Sequence, residues 1–172
     1  MNKNFIPNYL TLGNIFCGFL SIIMTSQKQF ILASVFIILA TLADRYDGIV
    51  ARKLGVSNEL GKELDSLCDV VSFGAAPALL VFTKILNADL NVAIIILAGI
   101  ICGLYVCCGA YRLARFNITT SQNKGVYQGV PITTCGLFLA VILFFAIPYY
   151  ITLPLTAVLA YLMVSKIKIK KI

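Results

Sequence analysis

Residues 30–80 read FILASVFIILATLADRYDGIVARKLGVSNELGKELDSLCDVVSFGAAPALL, and the placement of charge in this stretch decides the fold. No charged residue occurs from Phe30 to Ala43, and the uncharged run resumes at Val70. Both runs fall short of the roughly 20 residues that a helix needs to cross a bilayer. A helix that crosses here must therefore carry Asp44 and Asp47 in its last turns, and the next must carry Asp65 and Asp69 in its first turns. The join contains Gly55, Ser57 and Asn58 and is short, so the two helices are expected to be antiparallel neighbours with their four carboxylates converging.

The rest of the 172-residue chain fits this frame. Hydrophobic residues make up 60% of it and charged residues only 12%, about half the charged share of a soluble domain, which argues against a water-soluble enzyme. Further apolar segments cover about 5–26, 92–111, 132–149 and 151–164, giving six spans. The first is too long for a signal peptide and leads straight into the second, so it is read as retained. Pro154 lies near the start of the sixth, where a missing N–H costs least. With both termini in the cytoplasm, twelve of the 14 Lys and Arg side chains lie on that side, and only Lys28 and Lys84 face out. The expectation is an all-α integral membrane protein of six transmembrane helices, both termini cytoplasmic, forming one domain over residues 1–172. The basic excess of +7 reflects orientation and anionic lipid rather than nucleic acid, for which no aromatic and basic stretch is present.

Composition also restricts the chemistry. There is no histidine, which excludes His bases, His metal ligands and phosphohistidine intermediates. The six cysteines form no C-x-x-C pair and sit in apolar runs, where Cys behaves as a small hydrophobe. Six of the seven acidic residues fall within 44–69. Asp44 and Asp47 are three apart, and Gly61, Asp65 and Asp69 are four apart, so each set shares one helix face. Four converging carboxylates form an all-oxygen site suited to hard divalent cations, Mg²⁺ or Mn²⁺, and two such cations would cancel their charge. Gly48, Ala51 and Gly61 leave gaps through which a planar or phosphate group could approach the backbone, and Arg52 could meet a phosphate. Plain ion pairing with Arg45, Arg52, Lys53 and Lys62 explains any one carboxylate but not the set.

The pattern Asp44-x-x-Asp47-Gly48-x-x-Ala51-Arg52, eight residues, Gly61, three residues, Asp65, three residues, Asp69 resembles the complete signature of the CDP-alcohol phosphotransferases. The resemblance implies that an alcohol hydroxyl attacks the β-phosphorus of a CDP-linked substrate and CMP leaves. It implies two divalent cations on Asp44, Asp47, Asp65 and Asp69, with Asp69 also the general base. Gly48, Ala51, Arg52 and Gly61 would bind the nucleotide substrate, and Asn8 and Thr11 at the entrance of the first span resemble another family feature that touches the nucleotide; helix capping explains that pair equally well.

Flanking residues bear on the acceptor. Asp65-Ser66-Leu67-Cys68-Asp69-Val70-Val71-Ser72-Phe73-Gly74-Ala75-Ala76-Pro77-Ala78, Arg112-Leu113-Ala114-Arg115-Phe116-Asn117 and Gly129-Val130-Pro131 are similar to the branch that joins CDP-diacylglycerol to L-serine. Arg112 and Arg115, three apart on the cytoplasmic side, could bind an acceptor carboxylate and a phosphate, with positive-inside anchoring as the plain alternative. Glycerol 3-phosphate or inositol phosphate would also want Arg. A divalent-cation transporter is the rival from another class, but would be expected to hold its carboxylates near the midplane of a broken helix. The resemblance further implies a homodimer in contact with membrane lipid. Small-residue faces at Gly74, Ala75, Ala76 and Ala78 and at Gly99, Gly103, Gly109 and Ala110 suit close helix packing. The length without an appended domain suggests a prokaryotic plasma membrane, with the site facing the cytoplasm.

Overall fold

A computed structural model describes residues 5–55, 59–88, 90–120 and 126–170. Lys3, Ser57, Asn58, Asp89, Lys124, Lys171 and both chain ends lie outside the described residues. In chain order the elements are α1 (Phe5–Ser26), α2 (Phe30–Leu54), α3 (Glu59–Asp69), a π-helical segment (Val70–Ala75), α4 (Ala76–Leu86), α5 (Val92–Thr120), β1 (Val126–Gln128), α6 (Ile132–Phe144), α7 (Tyr149–Val164) and β2 (Lys168–Lys170). The fold is helical apart from one antiparallel ribbon, which pairs Val126 with Lys170 and Gln128 with Lys168.

Three helical runs are long and apolar enough to cross a membrane: Asn8–Ser26, Glu59–Leu86 and Val92–Ile118. The protein is thus of the integral membrane class, although fewer runs reach span length than the six expected. The reason differs by element. In α2 the charges of Asp44, Arg45, Asp47, Arg52 and Lys53 interrupt the apolar stretch, whereas α6 and α7 have only 13 and 16 residues. The expected fifth segment stops at Phe144 because Ala146 adopts φ 55° and Pro148 already caps α7.

Local chemistry explains the boundaries near the acidic residues. Gly55 ends α2 in the left-handed region, φ 63°, and its N–H bonds back to the carbonyls of Ala51 and Arg52. Glu59 opens α3, which carries Asp65 and Asp69 into the interior before the helix widens. Across the π segment the N–H of Ala76 reaches the carbonyl of Val71, five residues back. Tyr105, fully buried, donates its hydroxyl to the carbonyl of Phe73 at 3.0 Å. Neighbouring helices come very close to this segment. A Cβ on Gly18 would collide with the Ser72 hydroxyl and lie 2.8 Å from its Cα, and one on Gly136 would lie 2.7 Å from Phe73 Cβ. The core around it joins Ala33, Ile37, Ala40, Phe73, Leu80, Tyr105, Leu139 and Met163.

α5 continues nine residues beyond Tyr111, so Arg112 and Arg115 lie within the helix rather than at its end. The extension is held at its side by Arg115. Its Nη1 donates to Val164 O at 3.2 Å, and its Nη2 to Gln128 O at 3.1 Å and to Met163 O and Ser165 O at 3.4 Å. Gly129, φ 78°, passes so near Met163 O that no Cβ fits there. Its N–H donates to Ile167 O at 3.0 Å.

Candidate active site

The helix faces anticipated from spacing do meet. One carboxylate oxygen each from Asp44, Asp47 and Asp65 lie within 4.8 Å of one another, on facing turns of α2 and α3. Asp47 is buried and the other two are half-buried. Asp65 Oδ1 is buried with no hydrogen-bond partner among the described residues. An acceptor left bare in a cluster of like charge is unfavourable unless a cation completes it. The donor set therefore fits a hard divalent ion, and the acidic cluster is a candidate metal centre.

Asp69 stands beside this trio, buried at 5% exposure one turn further along α3. Its Oδ1 accepts a hydrogen bond from Asn14 Nδ2 at 3.2 Å. Asp47 Oδ2 accepts one from Thr11 Oγ1 at 2.9 Å. Thr11 and Asn14 are three apart on α1, so one face of that helix reaches a carboxylate on each of the two acidic helices. Thr11 thus touches a carboxylate, a contact that sequence reasoning, which paired it with Asn8 and the nucleotide, did not foresee. Asn14 was missed altogether; the i,i+3 spacing from Thr11 was the available signal. Asn8 lies two turns nearer the start of α1, half-buried.

The small residues sit where the helices present them. Arg52 is exposed on the last turn of α2, and its guanidinium folds back along the helix, its Nη1 3.5 Å from where a Gly48 Cβ would be. Ala51 and Gly61 are half-buried on the same two helices. Arg52 thus lies along the Gly48 side of α2, at ordinary contact distance from where a Cβ would be, and is near enough to Asp47 to act on its charge.

On α5, Arg112 is buried at 6% exposure, with its guanidinium carbon 5.5 Å from the centre of the Phe116 ring. Its Nε has no hydrogen-bond partner among the described residues, and Asp69 lies within electrostatic reach. Arg115, by contrast, is occupied with the backbone carbonyls around α7 described above. The two Arg side chains thus point to different neighbours despite their shared helix face. Asn117, at the end of the same stretch, ties α5 to α3. Its Nδ2 donates to Ser66 Oγ at 2.9 Å and to Glu63 Oε1 at 3.4 Å, while its carbonyl accepts from Lys62 Nζ at 3.1 Å. All three α3 partners lie close to Asp65 in sequence, on both sides of it, so this clasp sets the distance between the carboxylates and the arginine helix.

Comparisons with known proteins point to the same family as the acidic signature. Over 166 residues the chain is 38% identical to a CDP-diacylglycerol–serine O-phosphatidyltransferase of Bacillus subtilis, covering 96% of this chain and 89% of the relative. A protein of the same name from Methanocaldococcus jannaschii is 39% identical over 166 residues, 96% of this chain and 74% of that one. An archaetidylserine synthase of Methanothermobacter thermautotrophicus is 38% identical over 134 residues, 77% of this chain and 54% of that protein. The family described as CDP-alcohol phosphatidyltransferase matches residues 4–165, a range that includes every carboxylate of the site. By that match and by the eight fixed residues between Asp44 and Asp69, the chain belongs to the CDP-alcohol phosphatidyltransferase family.

Proposed function

We propose that this protein transfers the phosphatidyl group of CDP-diacylglycerol to the hydroxyl of L-serine, giving phosphatidylserine and CMP. The observation that carries the reading is the convergence of Asp44, Asp47 and Asp65 with Asp69 held beside them. The relatives named for the serine reaction over most of this chain favour serine as the acceptor.

In the reaction the serine oxygen bonds to the β-phosphorus, the bond from that phosphorus to the CMP oxygen breaks, and the hydroxyl proton passes to a carboxylate. Asp69 is assigned that proton and, with Asp44, Asp47 and Asp65, the holding of two divalent cations, Mg²⁺ or Mn²⁺. Such ions supply charge neutralisation for the phosphoryl group and the leaving CMP. Gly48, Ala51, Arg52 and Gly61, with Asn8 and Thr11 on α1, are assigned to the nucleotide end of CDP-diacylglycerol, with Thr11 acting also through Asp47. Arg112 is assigned to the acceptor carboxylate or the substrate phosphate: buried, aromatic-backed and lacking a partner at Nε, it gains most from an anion. Arg115 contributes its fixed positive charge from the end of α7. The carboxylates of this set are assigned to the cations and the proton, and the Thr11 hydroxyl donates to Asp47, which favours direct displacement by the serine oxygen.

The chain is further proposed to act as a single domain of six crossings with both termini in the cytoplasm, in a plasma membrane. The twelve-to-two division of Lys and Arg supports that orientation. The apolar residues Phe145, Ala146 and Ile147 lengthen the short α6 segment. The lipid tails of the substrate would stay in the bilayer while its headgroup enters the site. A homodimer is proposed through the part of the small-residue face left uncovered: Gly74 and Gly109 pack within the chain, whereas Gly99 and Gly103 are exposed on α5.

The test is CMP release by purified protein given CDP-diacylglycerol and Mn²⁺ or Mg²⁺, with serine, glycerol 3-phosphate and inositol phosphate in parallel. Release with serine alone, lost on chelation and in Asp69→Asn, is the expected result. Release with another alcohol would transfer the chemistry to that acceptor, and metal uptake into vesicles without CMP release would point to a transporter.

A further inference from the structure

We infer that Asn14 is a positioning residue for Asp69: it sets the rotamer of that carboxylate and keeps it apart from the trio formed by Asp44, Asp47 and Asp65. The inference rests on the assignment of Asp69 given above, and three observations carry it.

Asn14 is fully buried, and its Nδ2 donates to Asp69 Oδ1 at 3.2 Å, which leaves Asp69 Oδ2 as the oxygen not committed to Asn14. Asp69 takes no place among the three carboxylates whose oxygens lie within 4.8 Å of one another, although it is only four residues from Asp65 on the same face. A carboxylate so near three others requires something to hold it in one rotamer, and the Asn14 amide is a side-chain donor on it among the described residues.

The backbone of Asn14 is itself held, with its main-chain carbonyl as the acceptor. The Ser72 hydroxyl donates to the carbonyl of Asn14 at 3.1 Å, and Gly18, one turn further along α1, lets the helix lie against the backbone of Ser72. The π segment that carries Ser72 starts directly after Asp69. Asn14 and Asp69 are thus fixed to each other twice, through their side chains and through the adjoining backbone.

Asn14 Oδ1 has no hydrogen-bond partner among the described residues. A buried acceptor without a donor destabilises the fold, and an apolar residue of similar size would avoid that cost. A packing role alone does not call for an amide here. A role toward Asp69 does, because the N–H of the amide gives that carboxylate a fixed partner.

The experiment uses the full chain in detergent, with Asn14→Ala, Asn14→Ser and, as a control of equal burial on the same helix, Thr25→Val, whose hydroxyl bonds only within α1. CMP release is measured with whichever alcohol the wild type accepts, and Mn²⁺ binding is followed by electron paramagnetic resonance without substrates. Asn14→Ala is expected to lower kcat about 10- to 100-fold, the usual effect of removing a group that orients a ligand or base, with KM for CDP-diacylglycerol unchanged. The first Mn²⁺ should bind as in the wild type, because the trio is untouched. Thr25→Val should match the wild type in all readouts. An unchanged kcat in Asn14→Ala overturns the inference, as does loss of the first Mn²⁺ together with the rate. Should both Asn14 variants fail to fold while Thr25→Val folds, Asn14 belongs to the scaffold and the inference is equally overturned. Absence of wild-type turnover with every alcohol overturns the proposed function instead, so the two failures are told apart.

Discussion

Thr11 shows how geometry adds a contact to a hydroxyl that the sequence marks by spacing alone. Three residues from Asn8 at a helix entrance, it has the spacing of a cap, yet it donates to Asp47 Oδ2 from inside α1. Thr11→Val keeps the shape and removes the donor. A hydrogen bond to a charged group contributes about 1.5–3 kcal/mol of stability, so the thermal midpoint should drop by several degrees, and CMP release measured where the variant is still folded should fall by about one order of magnitude. Steady-state rates beside a melting curve check this; an unchanged rate would remove Thr11 from the site. The carboxylates themselves were legible because acidic residues in apolar helices are costly and their periodicity was visible. Asn14 was only half legible: its i,i+3 spacing from Thr11 gives a shared face, but nothing on its own helix names Asp69. Arg112 and Arg115 divide for a similar reason. Helix phase puts both on one side, but only the distant segments around α7 decide that one is engaged with carbonyls while the other is buried over Phe116.

The π segment between α3 and α4 is the element on which the site depends most. Its sequence, Val70–Ala75, has nothing that separates it from an apolar α-helix, which is why the third apolar segment reads as uninterrupted. The widening is specified from outside, by Tyr105 meeting the Phe73 carbonyl and by two glycines on α1 and α6 that admit the wider turn. Gly136→Ala tests this. Its Cβ would face Phe73 Cα at 2.8 Å and Phe73 O at 2.9 Å, backbone atoms that cannot rotate away. Overpacking of this kind typically costs about 1–3 kcal/mol, and the expected result is a lower melting temperature with activity falling in parallel. A variant as stable as the wild type would show that the segment has slack. Helix ends were legible where chemistry marks them, as at Gly55. They were not where tertiary contacts prolong a helix, as in α5 beyond Tyr111.

Taken together, α5 is tied on one side to α3 near the site by Asn117 and on its other flank to the segments around α6 and α7 by Arg115. The charge count and hydropathy made the membrane class legible, and the acidic signature made the family legible. The ribbon was not, because its strands are three residues long and come from segments some forty residues apart. Arg115 contacts carbonyls of both flanking segments, Gln128 before α6 and Met163, Val164 and Ser165 at the end of α7. Two stretches distant in the chain therefore share one latch, and they should become vulnerable together. Under a broad-specificity protease at low dose, Arg115→Ala is expected to be nicked both at 126–131 and at 165–167, at rates that rise in common, as cooperative local opening requires. Nicking of only one stretch would show that the two open separately. The same latch, with the ribbon and the Gly129–Ile167 hydrogen bond beside it, makes the segment after α7 a mechanical part of the loop that enters α6: anything that pulls on one end is felt at the other.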